Sequence, residues 1–356
     1  MDFKDLVHQK CGWLKGEGKH SGVALCSRVR IARNFRDIPF PNRASGEQLA
    51  EVSERALSAV RRSSMLEDAV IRRIDELDPL DVQFLLESHL ISREFAKKTG
   101  GSAVIIGNRG VVNIMVNEED HLRLQIMKPG LEIADAWIIA DRLETELGRE
   151  IDFSFSDRWG YLTSCPTNLG TGLRASVMVH LPTLVISRRI VKVLTRISRS
   201  GIAPRGAYGE GSEPSGNLFQ LSNQFTLGKT EDSIIGEIER AALGVIDEEE
   251  TAREALFAGD RKTLEDRVFR ACGILNNARM ISSNEALELL SHLKLGVSLG
   301  LVDLSGRAVD ELILDVRPAH LQKLTGVEAS RRERDIKRAD FIRSKLAGTG
   351  GYKQES

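Results

Sequence analysis

The spacing of hydrophobic residues changes period along the chain. In "GVALCSRVRIAR" (22–33) apolar and polar positions alternate, with Val23, Leu25, Val29 and Ile31 on one side and Cys26, Arg28 and Arg30 on the other. Such alternation is the mark of a strand with one buried face. The same style predicts strand over 111–126, "VVNIMVNEEDHLRLQI", and two more strand-like runs, "GYLTSCPTNLG" and "LRASVMVHL", on either side of a turn. Helical spacing predicts amphipathic helices over 129–150 and 182–201, the second stopped by Gly201. After about residue 245 alternation fades, and Leu264, Val268, Cys272 and Leu275 recur at helical spacing. Similar patterns occupy 283–301 and 332–346. The expectation is an α+β protein. An antiparallel sheet flanked by helices occupies 1–248, and a mostly helical domain occupies 249–356 and ends in a loose tail from 347.

Composition narrows the function classes. The chain has 356 residues, 28% of them charged, with a net charge of −1, so two domains are expected and no overall field draws it to nucleic acid or membrane. The basic stretch 188–199 shares its helix with Ile190, Val193, Leu194 and Ile197, which argues for an ordinary amphipathic helix and not a nucleic-acid surface. The N-terminal residues lack the apolar stretch of a signal peptide, and no run approaches the ~18 apolar residues that cross a bilayer. The expected location is the cytoplasm. Cys11, Cys26, Cys165 and Cys272 are widely spaced, which suggests neither a zinc site nor a disulfide framework.

Strand parity then sorts the residues that carry chemistry. If "NEEDHLR" (117–123) is extended, Glu119, His121 and Arg123 share a face, with Glu118, Asp120 and Leu122 opposite. Arg28 and Arg30 share a face, as do Arg174, Ser176, Met178 and His180. Three strands thus offer polar groups on one side, the pattern of a sheet with one face packed and one open to a ligand. The run "SCPTNLGTGLRASVMVHLP" (164–182) joins a thiol, a glycine-rich turn and an arginine without the lysine of a Walker loop.

These segments together resemble the phosphagen (guanidino) kinases. The thiol run matches the family's C-P-[ST]-N-x-G-T signature continuing into R-A-S-V. "NEEDHLR", "RGAYGE" (205–210), "SRVR" (27–30) and "ESHLIS" (87–92) match four further hallmarks in the family's order. "SRVR" lies near the start and the helical domain comes after the catalytic one, an order that is similar to the bacterial protein-arginine kinases (McsB type).

The resemblance implies transfer of the γ-phosphoryl group of ATP to a guanidinium nitrogen of protein arginine, with free arginine or another small guanidine as the alternative acceptor. The acceptor is a poor nucleophile, with a pKa above ~12 and delocalised lone pairs. Glu119 and Glu210 would grip and deprotonate it, with Cys165 beside it as a thiolate. Nucleotide contacts would come from Ser27, Arg28, Val29, Arg30, His89, Arg123, Arg174, Ala175, Ser176, Val177, Met178, Arg205, Gly206, Ala207, Tyr208 and Gly209. Mg²⁺ would ride on the phosphates and need no protein cage. Met178 stands where the family pattern has histidine. Arg334, Asp335, Arg338 and Ala339 match an R-D-x-x-R-A motif linked to allosteric phosphoarginine binding. The implied partners are a zinc-binding activator protein, a stress-gene transcriptional repressor, a Clp-type protease that receives marked proteins, and a second copy of the chain as a homodimer. A non-catalytic adaptor is the third reading, and the full set of charged residues argues against it.

Overall fold

The computed structural model describes residues 6–7, 11–14, 18–206, 215–326 and 329–347. Eight antiparallel strands form one sheet in the order β2-β3-β4-β5-β1-β8-β10-β9. They are β1 (Ala24–Arg33), β2 (Val70–Arg73), β3 (Ala103–Gly107), β4 (Val112–Val116), β5 (Leu122–Pro129), β8 (Leu173–His180), β9 (Ile202–Gly206) and β10 (Leu218–Asn223). A short hairpin, β6 (Phe155–Ser156) and β7 (Gly160–Tyr161), stands apart.

One face of the sheet is apolar. Val29, Ile31, Leu124, Ile126, Ala175 and Val177 are buried there against α1 (Gly46–Arg62), α3 (Ile133–Gly148) and the start of α6 (Glu231–Gly259). The α1 helix begins with a Ser45–Gln48 capping box, which satisfies two amides that the first turn leaves without partners. Arg28, Arg30, Arg123 and Arg174 stand on the other face, so the α+β expectation holds, but that face is itself packed at both ends, by the core cluster of Cys26, Met127 and Met178 and by that of Val104, Ile106 and Met115.

Local geometry departs from the expected pattern in four places. A register shift between Ala24 and Cys26 breaks the alternation of β1, so Leu25 and Cys26 both join the core under the C-terminal helices while Val23 stays with the main core. The run 111–126 is two strands, because Asn117 adopts a left-handed conformation (φ 59°) and 117–121 form a turn. Parity therefore does not govern 118–121. His121 is fully buried, its ring held between the Phe35 amide, which donates to Nδ1, and the Pro39 carbonyl, which meets Nε2. Only the first two residues of 160–170 are strand. The helical stretch 182–201 is split into α4 (Pro182–Ile186) and α5 (Ile190–Arg199) at left-handed Arg188 (φ 57°), and Gly201 (φ 80°) does end it.

The expected boundary at 248/249 falls inside α6, a single helix about 44 Å long at 1.5 Å per residue. Glu249 on that helix is buried and accepts the amides of Thr183 (3.0 Å) and Leu184 (2.9 Å) at the start of α4. The first break comes at Asp260. Beyond it lie α7 (Arg261–Asn277), α8 (Ser283–Ser298), α9 (Gly306–Asp315), α10 (Pro318–Thr325) and α11 (Arg331–Leu346), around the core of Val268, Cys272, Leu290 and Ile342. The tail from 348 lies outside the described residues.

Arg338 on α11 is 1% exposed. Its Nε donates to the Val316 carbonyl (2.7 Å), and Nη1 donates to the Ile281 carbonyl (2.8 Å) and to Asp335 (2.6 Å). Ala339 packs in the core. Where the sequence reading has Arg338 receive a phosphate, the structure shows it clamping three segments of the helical region, with Asp335 as its own partner. Arg338→Ala would leave those carbonyls and a carboxylate unpaired, so thermal unfolding without any phosphorylated ligand should show a loss of about 3–5 kcal/mol. An unchanged unfolding temperature would contradict the clamp.

Candidate active site

A cleft of about 460 Å³ opens over the polar face of the sheet. Its floor is arginine. Arg30 on β1 sits directly opposite Arg174 on β8, Arg28 is two residues away on the same strand, Arg123 comes from β5 and Arg205 from β9. Like charges directly opposite across strands repel. Burial, opposed by Cys26 and aided by Arg123, brings the pKa of the Arg28 guanidinium down from its usual value to about 10. Burial and then the charges of Arg28, Arg123 and Arg174 push Arg30 well below its usual value. The Arg30 Nε is buried with no hydrogen-bond partner among the described residues. A floor of this kind stores repulsion that a polyanion relieves.

The residues that hold this floor lie partly outside the sequence expectation. Gln220 on β10 accepts from Arg28 Nη2 at 2.6 Å. Glu118, almost fully buried, pairs with Arg123 and accepts from Ser92. Burial pushes Glu118 up, but Arg123 and Ser92 outweigh it and hold the carboxyl below its usual range. Arg93 and Lys98 also line the wall. The alternation of "LFQLSN" was the available signal for Gln220; nothing local marks Glu118 as the partner of Arg123.

The same cleft is also lined by a carboxylate, Glu119, and by the thiol of Cys165. Glu119 is raised above its ordinary 4.5 by burial first and then by the charges of Asp120 and Glu118, with Arg123 and Cys165 opposing. Cys165 lies within hydrogen-bond reach of Thr167 Oγ1 (3.0 Å), and Asn168 Nδ2 reaches Glu119 at 3.5 Å. Asp120 sets this spacing: one of its oxygens accepts from Asn34 Nδ2 (2.7 Å) just past the end of β1 and from the Ser164 amide (2.6 Å). Behind the thiol, Gly170 (φ 104°) and Gly172 (φ 64°) allow backbone approaches that a Cβ would block, at 2.9 Å from Leu227 Cα and 2.7 Å from the Ala32 carbonyl. Thr226 Oγ1 braces the same loop through the Thr167 and Leu169 carbonyls.

His89 lines the wall near the arginines in a left-handed conformation (φ 58°). Burial, then Arg28, holds its imidazole well below the usual range and thus neutral. Several expected contacts lie elsewhere. Ser27 is buried on the opposite side, donating to the Gly130 carbonyl and accepting the Glu132 amide. Val29, Ala175 and Val177 are core, and Ser176 reaches the Arg28 carbonyl only at 3.5 Å. Met178, which the sequence reading set against adenine, is buried in one core cluster with Cys26 and Leu287 under the helical region. Gly206 ends β9, while Ala207, Tyr208, Gly209 and Glu210 lie outside the described residues.

Comparison with known proteins gives this arrangement a class. Residues 51–252 match the catalytic domain of the ATP:guanido phosphotransferases. A lombricine kinase structure shares the fold at a TM-score of 0.59 and 23% identity, covering 71% of both chains. The duplicated taurocyamine kinase from Schistosoma mansoni does so at 0.60 and 24%, over 76% of this chain and 39% of that one. Residues 261–356 match the C-terminal domain of protein-arginine kinase McsB, and the two matches meet near the break at Asp260. The protein-arginine kinase of Halothermothrix orenii is 45% identical over 348 residues, 97% of this chain and 99% of the relative. That of Bacillus subtilis is 41% identical over 350 residues, 97% and 96% of the respective chains. The chain belongs to the protein-arginine kinases, within the ATP:guanido phosphotransferase family.

A carboxylate that accepts a proton works only when ionised. Because Glu119 is held above 4.5, kcat should fall on acidification through a midpoint above that value, and Glu119→Gln should remove this limb along with most of the rate. A kcat profile from pH 5 to 8 at saturating ATP checks this, and a midpoint at or below 4.5 would contradict the assignment.

Proposed function

We propose that the protein phosphorylates arginine side chains of other proteins with ATP, using these residues in these roles. The single supporting observation is that one cleft brings mutually repelling arginines together with Glu119 and Cys165. Arg28, Arg30, Arg123, Arg174 and Arg205 would balance the triphosphate, which explains why so many cations line one cleft. His89, neutral, would meet the nucleoside without adding charge. Mg²⁺, when bound on the phosphate oxygens, would neutralise part of their charge.

Glu119 would align the acceptor guanidinium and take one N–H proton. The freed nitrogen pair forms the N–P bond as the bond from the γ-phosphorus to its bridging oxygen breaks and ADP departs. Glu210 would be the second carboxylate; its role rests on the "RGAYGE" motif alone. Cys165 would stabilise the acceptor by its position, with no covalent bond to phosphorus.

Two observations favour a protein acceptor over free arginine. The first is membership of the protein-arginine kinases. The second is the exposure of Phe225 and Leu227 on either side of the Thr226 that braces the thiol loop, which gives a polypeptide apolar surface next to the acceptor end. Marking of proteins for a Clp-type protease, control of a stress-gene repressor, a zinc-binding activator, homodimer formation and a cytoplasmic setting are implied by the resemblance. No helix among the described residues is long and apolar enough to cross a membrane. Allosteric phosphoarginine binding at Arg334, Asp335, Arg338 and Ala339 would have to leave the Arg338 clamp in place or replace its partners.

With ATP and an unfolded test protein, mass spectrometry at neutral pH should find phosphate on arginine nitrogen that acid removes. Glu119→Gln should lower kcat by about 10²–10⁴. Efficient turnover of free arginine with no label on protein would replace this reading with a small-guanidine kinase.

A further inference from the structure

The wall that carries His89 is tied to the helical region by one buried carboxylate, Glu87, the first residue of the "ESHLIS" run. Glu87 ends α2 (Pro79–Glu87), two residues before His89, and is 2% exposed. Its oxygens accept the Ala319 amide at 3.1 and 3.0 Å, the His320 amide at 3.1 Å and His320 Nδ1 at 3.0 Å. Those amides are the first free donors of α10, so the carboxylate occupies the positive end of that helix. On its far side, His320 Nε2 lies 3.1 Å from Ser88 Oγ, and its ring stacks 4.4 Å from Phe84. Asp81 and Lys323 form a further ion pair along the same two helices. Burial pushes Glu87 up, but His320 and the Ala319 amide outweigh it and keep it ionised.

The backbone just after Glu87 is strained and faces the cleft. Left-handed φ is uncommon at a residue that is not glycine, and surrounding contacts must hold His89 there. Its carbonyl is pinned by Gln125 Nε2 at 2.8 Å from β5. The residue before it is held by His320. Three positions on, Ser92 donates to the Glu118 that pairs with Arg123.

We infer that Glu87 and His320 are positioning residues for nucleotide binding: by gripping the first turn of α10, Glu87 fixes the backbone turn that presents His89 to the cleft. This rests on the proposed use of the cleft for ATP. It gives the C-terminal helices a direct mechanical hold on the nucleotide side, distinct from the α11 clamp.

The test is direct binding of a fluorescent ADP analogue, then steady-state kinetics with ATP and a fixed protein acceptor. Glu87→Gln and His320→Ala should each weaken nucleotide binding and raise the KM for ATP about tenfold, while kcat changes less than about threefold. Ser88→Ala, which deletes only the outer hydrogen bond, should give a smaller shift in the same direction without loss of folding. His320→Asn, which keeps a side-chain donor toward Glu87, should recover part of the affinity. Equal nucleotide affinity in wild type and in Ser88→Ala and His320→Asn, with changes confined to unfolding temperature, would overturn the inference. Failure of the wild-type chain to bind the nucleotide at all would instead overturn the proposed function.

Discussion

Repulsion among buried guanidinium groups is the constraint on which the rest of the structure depends. Arg28, Arg30, Arg123 and Arg174 cannot be brought onto one sheet face unless other interactions hold them there. The opposite face supplies those interactions, with Val29, Ile31, Leu124 and Ala175 fully buried beneath the same strands. Strand pleating makes the two inseparable, since each arginine is flanked along its strand by a core residue that it cannot slip past without inverting the register. Gln220 and Glu118 moderate the charge without cancelling it. The remaining deficit is what an incoming polyphosphate satisfies.

A second recurring device is the distant carboxylate at a helix start. Glu249 serves α4, and Glu87 serves α10. Asp120 does the comparable work for the thiol loop through the Ser164 amide. In each case an anion is buried safely because backbone donors meet it, and in each case it joins segments far apart in the chain. The thiol loop, the turn bearing His89 and the helical region are thereby tied to distant parts of the chain by three carboxylates.

Much of this was legible in the sequence where a local period carried the information. The alternation in 26–31 and 173–180 marked the arginine-bearing strands, and the family's motifs named Glu119, Cys165 and His89, all of which border one cleft. Legibility ended where tertiary contact decides. Residues 117–121 look extended by composition but turn at Asn117, because Asp120 and His121 are drawn to Asn34, Ser164 and Phe35. Met178 has the parity of a cleft residue, yet the C-terminal helices cover that end of β8. Arg338 reads as a free basic side chain on a helix, and only the positions of Val316 and Ile281 reveal it as buried. Glu87 opens the "ESHLIS" run, but nothing local pairs it with His320, since their meeting spans 233 positions.

The central place of β1 has a consequence for how the protein comes into being. Its two neighbours in the sheet are β5 and β8, and its Arg28 meets Gln220, 192 positions away. Loops of this length close slowly, so contacts of this kind are late events in folding. The arginines of β1 lie far ahead in the chain of the partner that restrains Arg28, and Glu87, two residues before His89, meets its partner His320 at a separation of 233 positions. The cleft is thus assembled from segments far apart in the chain.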